Sequence, residues 1–180
     1  KVEAPSKYNF EKPIVFAGSS ITQGAAACRP GLSYVSRTCR NLNCDFINLG
    51  FAGSFQAEEE VMKYIASLPM CAFVYDYDHN APDPEHLEKT HRRGYEIIRK
   101  AHPDIPIILT SKPTLYFSCP QDIPRRIIVQ KTYHYGIENG DKNLYYVDGY
   151  SLLEGADREE CTSDGCHPND LGMYRMSNVM

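Results

Sequence analysis

A three-layer α/β/α sandwich on about five parallel strands is what the sequence predicts, and three observations predict it. Short, β-branched apolar runs recur five times along the chain, each long enough for one buried strand. Stretches with helical spacing lie between them. The strand-like runs give way to small or polar residues (Gly, Ser, Asp, Asn) where a loop would begin. Alternating strand and helix imply right-handed crossovers with helices on both faces of one sheet.

In chain order, strands are expected over 13–18, 45–50, 71–76, 105–110 and 143–148, and helices near 31–42, 56–67, 84–101 and 121–138. In the third helix Leu87, His91, Tyr95, Ile98 and Ala101 keep a three-to-four spacing that faces the sheet. Pro84 suits its first turn, and Pro103 follows its end. The fourth helix rests on Ile123, Ile127 and the stretch from Gln130 and Lys131 to His134. Asn169 and Asp170 read as the cap of a closing helix.

The 180 residues suffice for one domain with its own core. Residues 1–12 read as a linker entering a domain of 13–180, and both ends are expected to belong to a longer chain. A net charge of -4, with both signs interspersed, argues against nucleic acid or an anionic membrane as the main partner. No apolar run approaches the roughly 18 residues of a membrane span. Of the seven cysteines, Cys39, Cys44 and Cys71 read as small core residues. The odd count leaves one thiol unpaired unless it bridges two chains. Cys161, Cys166 and His167 come nearest to a metal cluster but lack a fourth ligand, and Asp76 with Asp78 lacks a second cluster. No metal or organic cofactor is expected.

In an open parallel sheet the ligand site lies beyond the carboxyl ends of the strands. There the sequence places Ser19 and Ser20, then Gly50 to Ser54, then Asp76 to Asn80, and finally Asp148 with the loop carrying Asp164 and His167. That inventory suits acyl transfer. A serine hydroxyl needs a base, a neutral imidazole serves near pH 7, and a carboxylate fixes the imidazole tautomer. Asp164 and His167, three apart, can sit on one turn, leaving the second ring nitrogen for Ser20. Candidate oxyanion donors are the Ser20 and Gly53 amides and the Asn80 side chain.

These residues resemble the blocks of the SGNH hydrolases, the GDSL-like lipases and acylhydrolases, over about residues 13–172. Gly-Ser-Ser-Ile-Thr-Gln-Gly at 18–24 is similar to the nucleophile block, and Asn-Leu-Gly-Phe-Ala-Gly at 48–53 to the oxyanion-glycine block. Tyr-Asp-Tyr-Asp-His-Asn at 75–80 resembles the asparagine block, and Asp-Gly-Cys-His-Pro-Asn-Asp-Leu-Gly at 164–172 the Asp-x-x-His block. The resemblance implies a flavodoxin-like fold, Ser20, Asp164 and His167 as catalytic residues, and Ser20, Gly53 and Asn80 as the oxyanion hole. Ser19 departs from the family's aspartate, and Asp78 from its usual glycine. The runs Gln-Gly-Ala-Ala-Ala-Cys-Arg-Pro-Gly at 23–31 and Tyr-Asp-Tyr-Asp-His-Asn-Ala-Pro at 75–82 resemble a bacterial branch in which a β-rich domain precedes this one. That branch implies a periplasmic or secreted enzyme.

Arg29 and His79 are candidate substrate contacts, and Tyr116, Phe117, Tyr133 and Tyr135 a candidate aromatic platform for a sugar, with packing as their plainer role. His86, His91 and His102 read as surface residues. The expected function is removal of a short acyl group, acetyl first, from a carbohydrate or similar polar alcohol through a serine acyl-enzyme. The alternatives are a short-chain lipid esterase and a non-catalytic binding module of the same fold.

Overall fold

The computed structural model describes residues 2–116 and 119–180; Phe117 of the aromatic platform lies outside the described residues. Five strands form one parallel sheet: β1 (Ile14–Gly18), β2 (Phe46–Gly50), β3 (Ala72–Asp76), β4 (Ile107–Thr110) and β5 (Leu144–Val147). Their spatial order is β2-β1-β3-β4-β5. The chain leaves β1 toward one edge and leaves β3 toward the other, so the loops after these neighbours diverge and open a crevice. The register aligns Gly18 with Gly50 on one side and Asp76 on the other, which sets three loop origins side by side.

Helices cover both faces, as the continuous apolar runs require. On one face α3 (Glu59–Ser67), α4 (Pro84–Ala101) and α5 (Asp122–Glu138) enclose Val15, Ala17, Phe73, Tyr75, Ile107 and Leu109. On the other, α2 (Tyr34–Leu42) and α6 (Asp170–Val179) close over Ile14, Phe16 and Val74 with Tyr34, Val35, Met173 and Met176. Val15, Phe16 and Ala17 in succession have no exposed surface. Full burial of an aliphatic or aromatic side chain stabilises by about 1.5–3 kcal/mol, so β1 is the axis of the core.

Caps explain several boundaries. Pro30–Leu32 form a single 3-10 turn, and Ser33 then caps α2 by accepting from the Ser36 amide, so the helix expected over 31–42 starts late. The helix expected from 56 begins at Glu59, because Ala57 adopts φ 53°, outside the helical region. Asn169 caps α6 through the Leu171 and Gly172 amides.

Three expectations need correction. His91 is fully buried rather than on the surface: its ring stacks on Tyr75 at 4.8 Å, and Nδ1 hydrogen-bonds the Thr132 hydroxyl at 2.8 Å. His86 and His102 are half-buried and tied through Nε2 to the carbonyls of Gln56 and Ala66. Ala101 is exposed at the end of the α4 stripe. The face of α5 is rotated from the expected one: Ile123 and Ile127 are exposed, while Arg125, Ile128, Val129, Thr132 and Gly136 turn inward. Cys39 and Cys44 are buried and Cys71 half-buried, and all seven cysteines are free. Among the described residues no helix is long and apolar enough to cross a membrane.

Candidate active site

Ser20 opens α1 (Ser20–Gln23), a single helical turn directly after β1. Ser19, almost fully buried, caps that turn by accepting from the Ile21 amide at 3.1 Å. Gly24 closes the turn in the left-handed conformation, φ 96°. The turn is pressed onto the end of β2. A Cβ on Gly50 would lie 2.2 Å from the Gln23 backbone nitrogen, so only glycine permits that approach.

Beneath the turn, the buried Asp76 carboxylate accepts from the Thr22 hydroxyl at 2.7 Å and the Tyr34 hydroxyl at 3.3 Å. Burial pushes Asp76 up to about 7, against the opposing pull of those two donors. It therefore stays protonated in the folded protein between its unfolded value near 3.9 and about 7, where the unfolded chain has lost that proton. This group's contribution makes stability fall as pH rises through the window, by about 1.4 kcal/mol per pH unit for one proton. Relative to wild type, Asp76→Asn should therefore grow more stable from pH 4 to pH 7. Denaturant unfolding at several pH values measures the slope; a constant offset between the two proteins would contradict the assignment.

His167 reaches Ser20 from the opposite side of the crevice. Its Nε2 lies 2.9 Å from Ser20 Oγ, and its Nδ1 lies 2.7 Å from Asp164 Oδ2. A carboxylate can only accept, so Nδ1 carries the ring proton and Nε2 is left to receive one from Ser20. Asp164 is locked by its other oxygen, which accepts from the backbone amides of His167 at 2.7 Å and Cys166 at 2.9 Å. The His167 amide, followed by the imidazole and the Cys166 amide, holds this carboxyl well below the usual range. The loop itself is braced by a bridge between Thr162 and Pro168 and by the bond from the Asn169 amide to the Cys161 carbonyl, 2.9 Å.

Two further loops border Ser20. The Phe51 amide donates to the Gly18 carbonyl at 2.9 Å, starting a turn that the Ser54 amide closes on the Phe51 carbonyl. Gly53 sits in that turn at φ 68°, and a Cβ there would meet nothing within 4 Å. Its backbone conformation favours glycine, and the space beside it is open. Asn80 Oδ1 accepts from the Phe55 amide at 3.4 Å, which couples its loop to the Gly53 turn and leaves the amide nitrogen as the end able to donate.

Ser20, His167 and Asp164 are thus brought into hydrogen-bonding sequence, and Gly53 and Asn80 lie in the loops that flank them. His79 is half-buried beside them, with Nε2 3.3 Å from Cys166 Sγ. Burial, followed by the charges of Lys112 and Arg125, pushes His79 down to about 4. Arg29 is exposed and acts on Cys28 and Asp170 rather than on the Ser20 group. Asp148 is paired with Arg126. The tyrosines do not gather into one platform: Tyr116 donates to Glu159, Tyr133 packs near Tyr146, and Tyr135 lies under the Arg92 guanidinium. A surface hollow lined by Tyr95, Arg99 and Asp141 lies at the opposite ends of the strands, and Arg99 and Asp141 form an ion pair in its wall.

Sequence reasoning missed the supports of the third loop. Asp78, where the resemblance expects glycine, is buried and accepts from the Lys112 amide at 3.0 Å. Arg125, reaching up from α5, donates to the Asp78 carbonyl at 2.5 Å. Burial pushes Asp78 up to about 6, with the Lys112 amide and the two cations working against it. Asp76 and Asp78 face different partners and form no common ligand pair.

A parallel sheet of this order, with a serine, histidine and aspartate joined by hydrogen bonds at its switch point, has the form of an α/β ester hydrolase. The chain belongs to the GDSL-like lipase/acylhydrolase family, whose model matches residues 11–180. Among solved structures it is similar to a Bacteroides ovatus protein described as a GDSL-like lipase, with 33% identity and a TM-score of 0.81. That alignment covers 94% of this chain and 51% of the other. The salicylyl-acyltransferase SsfX3 of a tetracycline biosynthetic pathway has 21% identity, a TM-score of 0.77 and coverage of 95% and 53%. A family two carbohydrate esterase from Clostridium thermocellum, solved with cellohexaose, has 18% identity, a TM-score of 0.76 and coverage of 99% and 64%. The chain therefore spans about half to two thirds of the length of these structures. A search of curated proteins finds no match.

Proposed function

We propose that this ester hydrolase removes a short acyl group, acetyl first, from a carbohydrate or similar polar alcohol through an acyl-enzyme on Ser20. The observation that carries the reading is the series Ser20 Oγ, His167 Nε2, His167 Nδ1, Asp164 Oδ2, with links of 2.9 and 2.7 Å. Ser20 Oγ attacks the ester carbonyl as His167 Nε2 takes its proton, and Asp164 stabilises the resulting imidazolium. The Ser20 and Gly53 amides and the Asn80 side-chain amide donate to the oxyanion. His167 returns the proton to the departing alkoxide, then activates the water that releases the acid and frees Ser20.

The polar rim supports a polar alcohol. Asp164, Gly53 and Ser54 are exposed around the serine. The apolar surface beside them is the Phe51 ring, 37% exposed, which is stacked on the buried Phe55 at 5.4 Å. One free aromatic face is suited to the C–H face of a sugar, and a carbohydrate esterase shares the fold. Export of the chain behind a β-rich domain belongs to the same reading, and the matched chains are long enough to hold a further domain.

Initial rates on p-nitrophenyl esters of rising chain length, alongside acetylated oligosaccharides, test this proposal. The acetyl ester should be turned over fastest among the synthetic esters, and acetate should be released from the glycan. Phe51→Ala should raise KM for the glycan about tenfold while leaving p-nitrophenyl acetate hydrolysis near wild type, the loss of one stacking contact worth about 1.4 kcal/mol. A preference for long acyl chains, or equal effects of Phe51→Ala on both substrates, would sink the glycan reading.

A further inference from the structure

The loop bearing Asn80 follows β3 and the loop bearing His167 follows β5, and each would supply a different element of the chemistry. Apart from the His167 contact to Ser20 Oγ, the hydrogen bonds of 162–165 and 169 run inside the loop or back to its own base, such as Ser163 N–H to the His167 carbonyl at 3.0 Å and Gly165 N–H to Thr162 Oγ1 at 3.1 Å. They set the shape of the loop. Cys166, immediately before His167, reaches across to His79, immediately before Asn80, with 3.3 Å between Sγ and Nε2. Both side chains are half-buried.

We infer that Cys166 and His79 form a clasp that positions His167 and Asn80 relative to each other, and that both are positioning residues of the esterase. The inference rests on the proposed role of Ser20. Its chemistry is a neutral hydrogen bond. Burial pushes the Cys166 thiol up, so it keeps its proton, and the same desolvation, with Lys112 and Arg125 nearby, keeps His79 uncharged. A thiol that is neither ionised nor beside an imidazolium is a poor nucleophile, so the pair serves as a joint and not as a second reactive centre. On the His79 side the joint is anchored: Asp78, one residue earlier, is held by the Lys112 amide and by Arg125. The clasp thus connects the loop that carries His167 to the buried Asp78, Lys112 and Arg125 beneath the loop that carries Asn80. Displacement of a catalytic group by about 1 Å can cost up to 10²-fold in rate, so a joint one residue away from each group acts on kcat.

The test is a double-mutant cycle on kcat and KM for p-nitrophenyl acetate, with melting curves of every variant. Cys166→Ala and His79→Ala should each lower kcat about tenfold with KM changed less than twofold. The double variant should lose no more than the worse single one, since the second truncation removes a bond already broken. Cys166→Ser, which keeps a donor, should recover most of the loss. Wild-type kcat in Cys166→Ala, or a double variant whose loss is the product of the two singles, would overturn the clasp. Where a variant melts far below wild type, Cys166→Ser decides: wild-type stability with Ala-like turnover overturns the proposal, and restored turnover supports it. Failure of the underlying reading looks different: the wild type would then neither turn over the ester nor react with a fluorophosphonate at Ser20, and the clasp would fall with it.

Discussion

Ser20→Ala should lower kcat for p-nitrophenyl acetate by about 10⁶-fold, the scale on which loss of a serine nucleophile is felt in a hydrogen-bonded triad. In the proposed mechanism the alanine removes the atom that would form the covalent bond, and His167 loses its partner hydroxyl at 2.9 Å. What would remain is catalysis by the proposed oxyanion donors and by binding, about 10³–10⁴ over water. The fold should be indifferent to the change. Ser20 is only half-buried, and its cap and closing glycine are its neighbours Ser19 and Gly24. A surface-type substitution of this kind shifts stability within about 0.5 kcal/mol. Steady-state kinetics with a melting curve measures both, and full turnover by a folded Ser20→Ala would remove the serine from the mechanism.

Asp164→Asn should cost about 10⁴-fold in kcat, for a different reason. An asparagine oxygen can still accept from the His167 and Cys166 amides, so the turn survives. The amide nitrogen then faces His167 Nδ1 where a carboxylate oxygen stood at 2.7 Å. A donor in that place selects the tautomer with its proton on Nε2, which can no longer accept from Ser20. Turnover loss at unchanged KM is the expected pattern, read from the same kinetics. A loss of less than tenfold would mean that Asp164 serves the turn and not the imidazole.

The strands were legible because each is a continuous apolar run, and the five observed strands fall within one or two residues of the five expected over 13–18 to 143–148. The placement of the candidate site is legible because the rim of a parallel sheet is known before its side chains are. Ser20, Gly53, Asn80, Asp164 and His167 all follow strand ends or lie in the closing loop. What escaped was set by partners distant in sequence. Arg125 turns inward on α5, with Ile123 and Ile127 outward, and the Asp78 carbonyl 47 residues away accepts its hydrogen bond. No periodicity within the helix carries that information. His91 belongs to an apolar stripe although its chemistry suggests a surface group; the stripe is the better guide, since Tyr75 and Thr132 supply stacking and a hydrogen bond in the core. The sequence offers Cys166 only as a metal ligand, because its partner His79 lies 87 positions earlier. Asp78, where glycine was expected, has its reason in the Lys112 amide.

The central claim is that Ser20 becomes acylated, and acid quench of the enzyme during turnover of p-nitrophenyl acetate tests it most directly. Peptide mass spectrometry should find one acetyl group on the peptide containing Ser20, present during the burst and gone once substrate is exhausted. Hydrolysis that proceeds with Ser20 never acetylated, or an acetyl group that accumulates on another residue at the rate of turnover, would contradict the account.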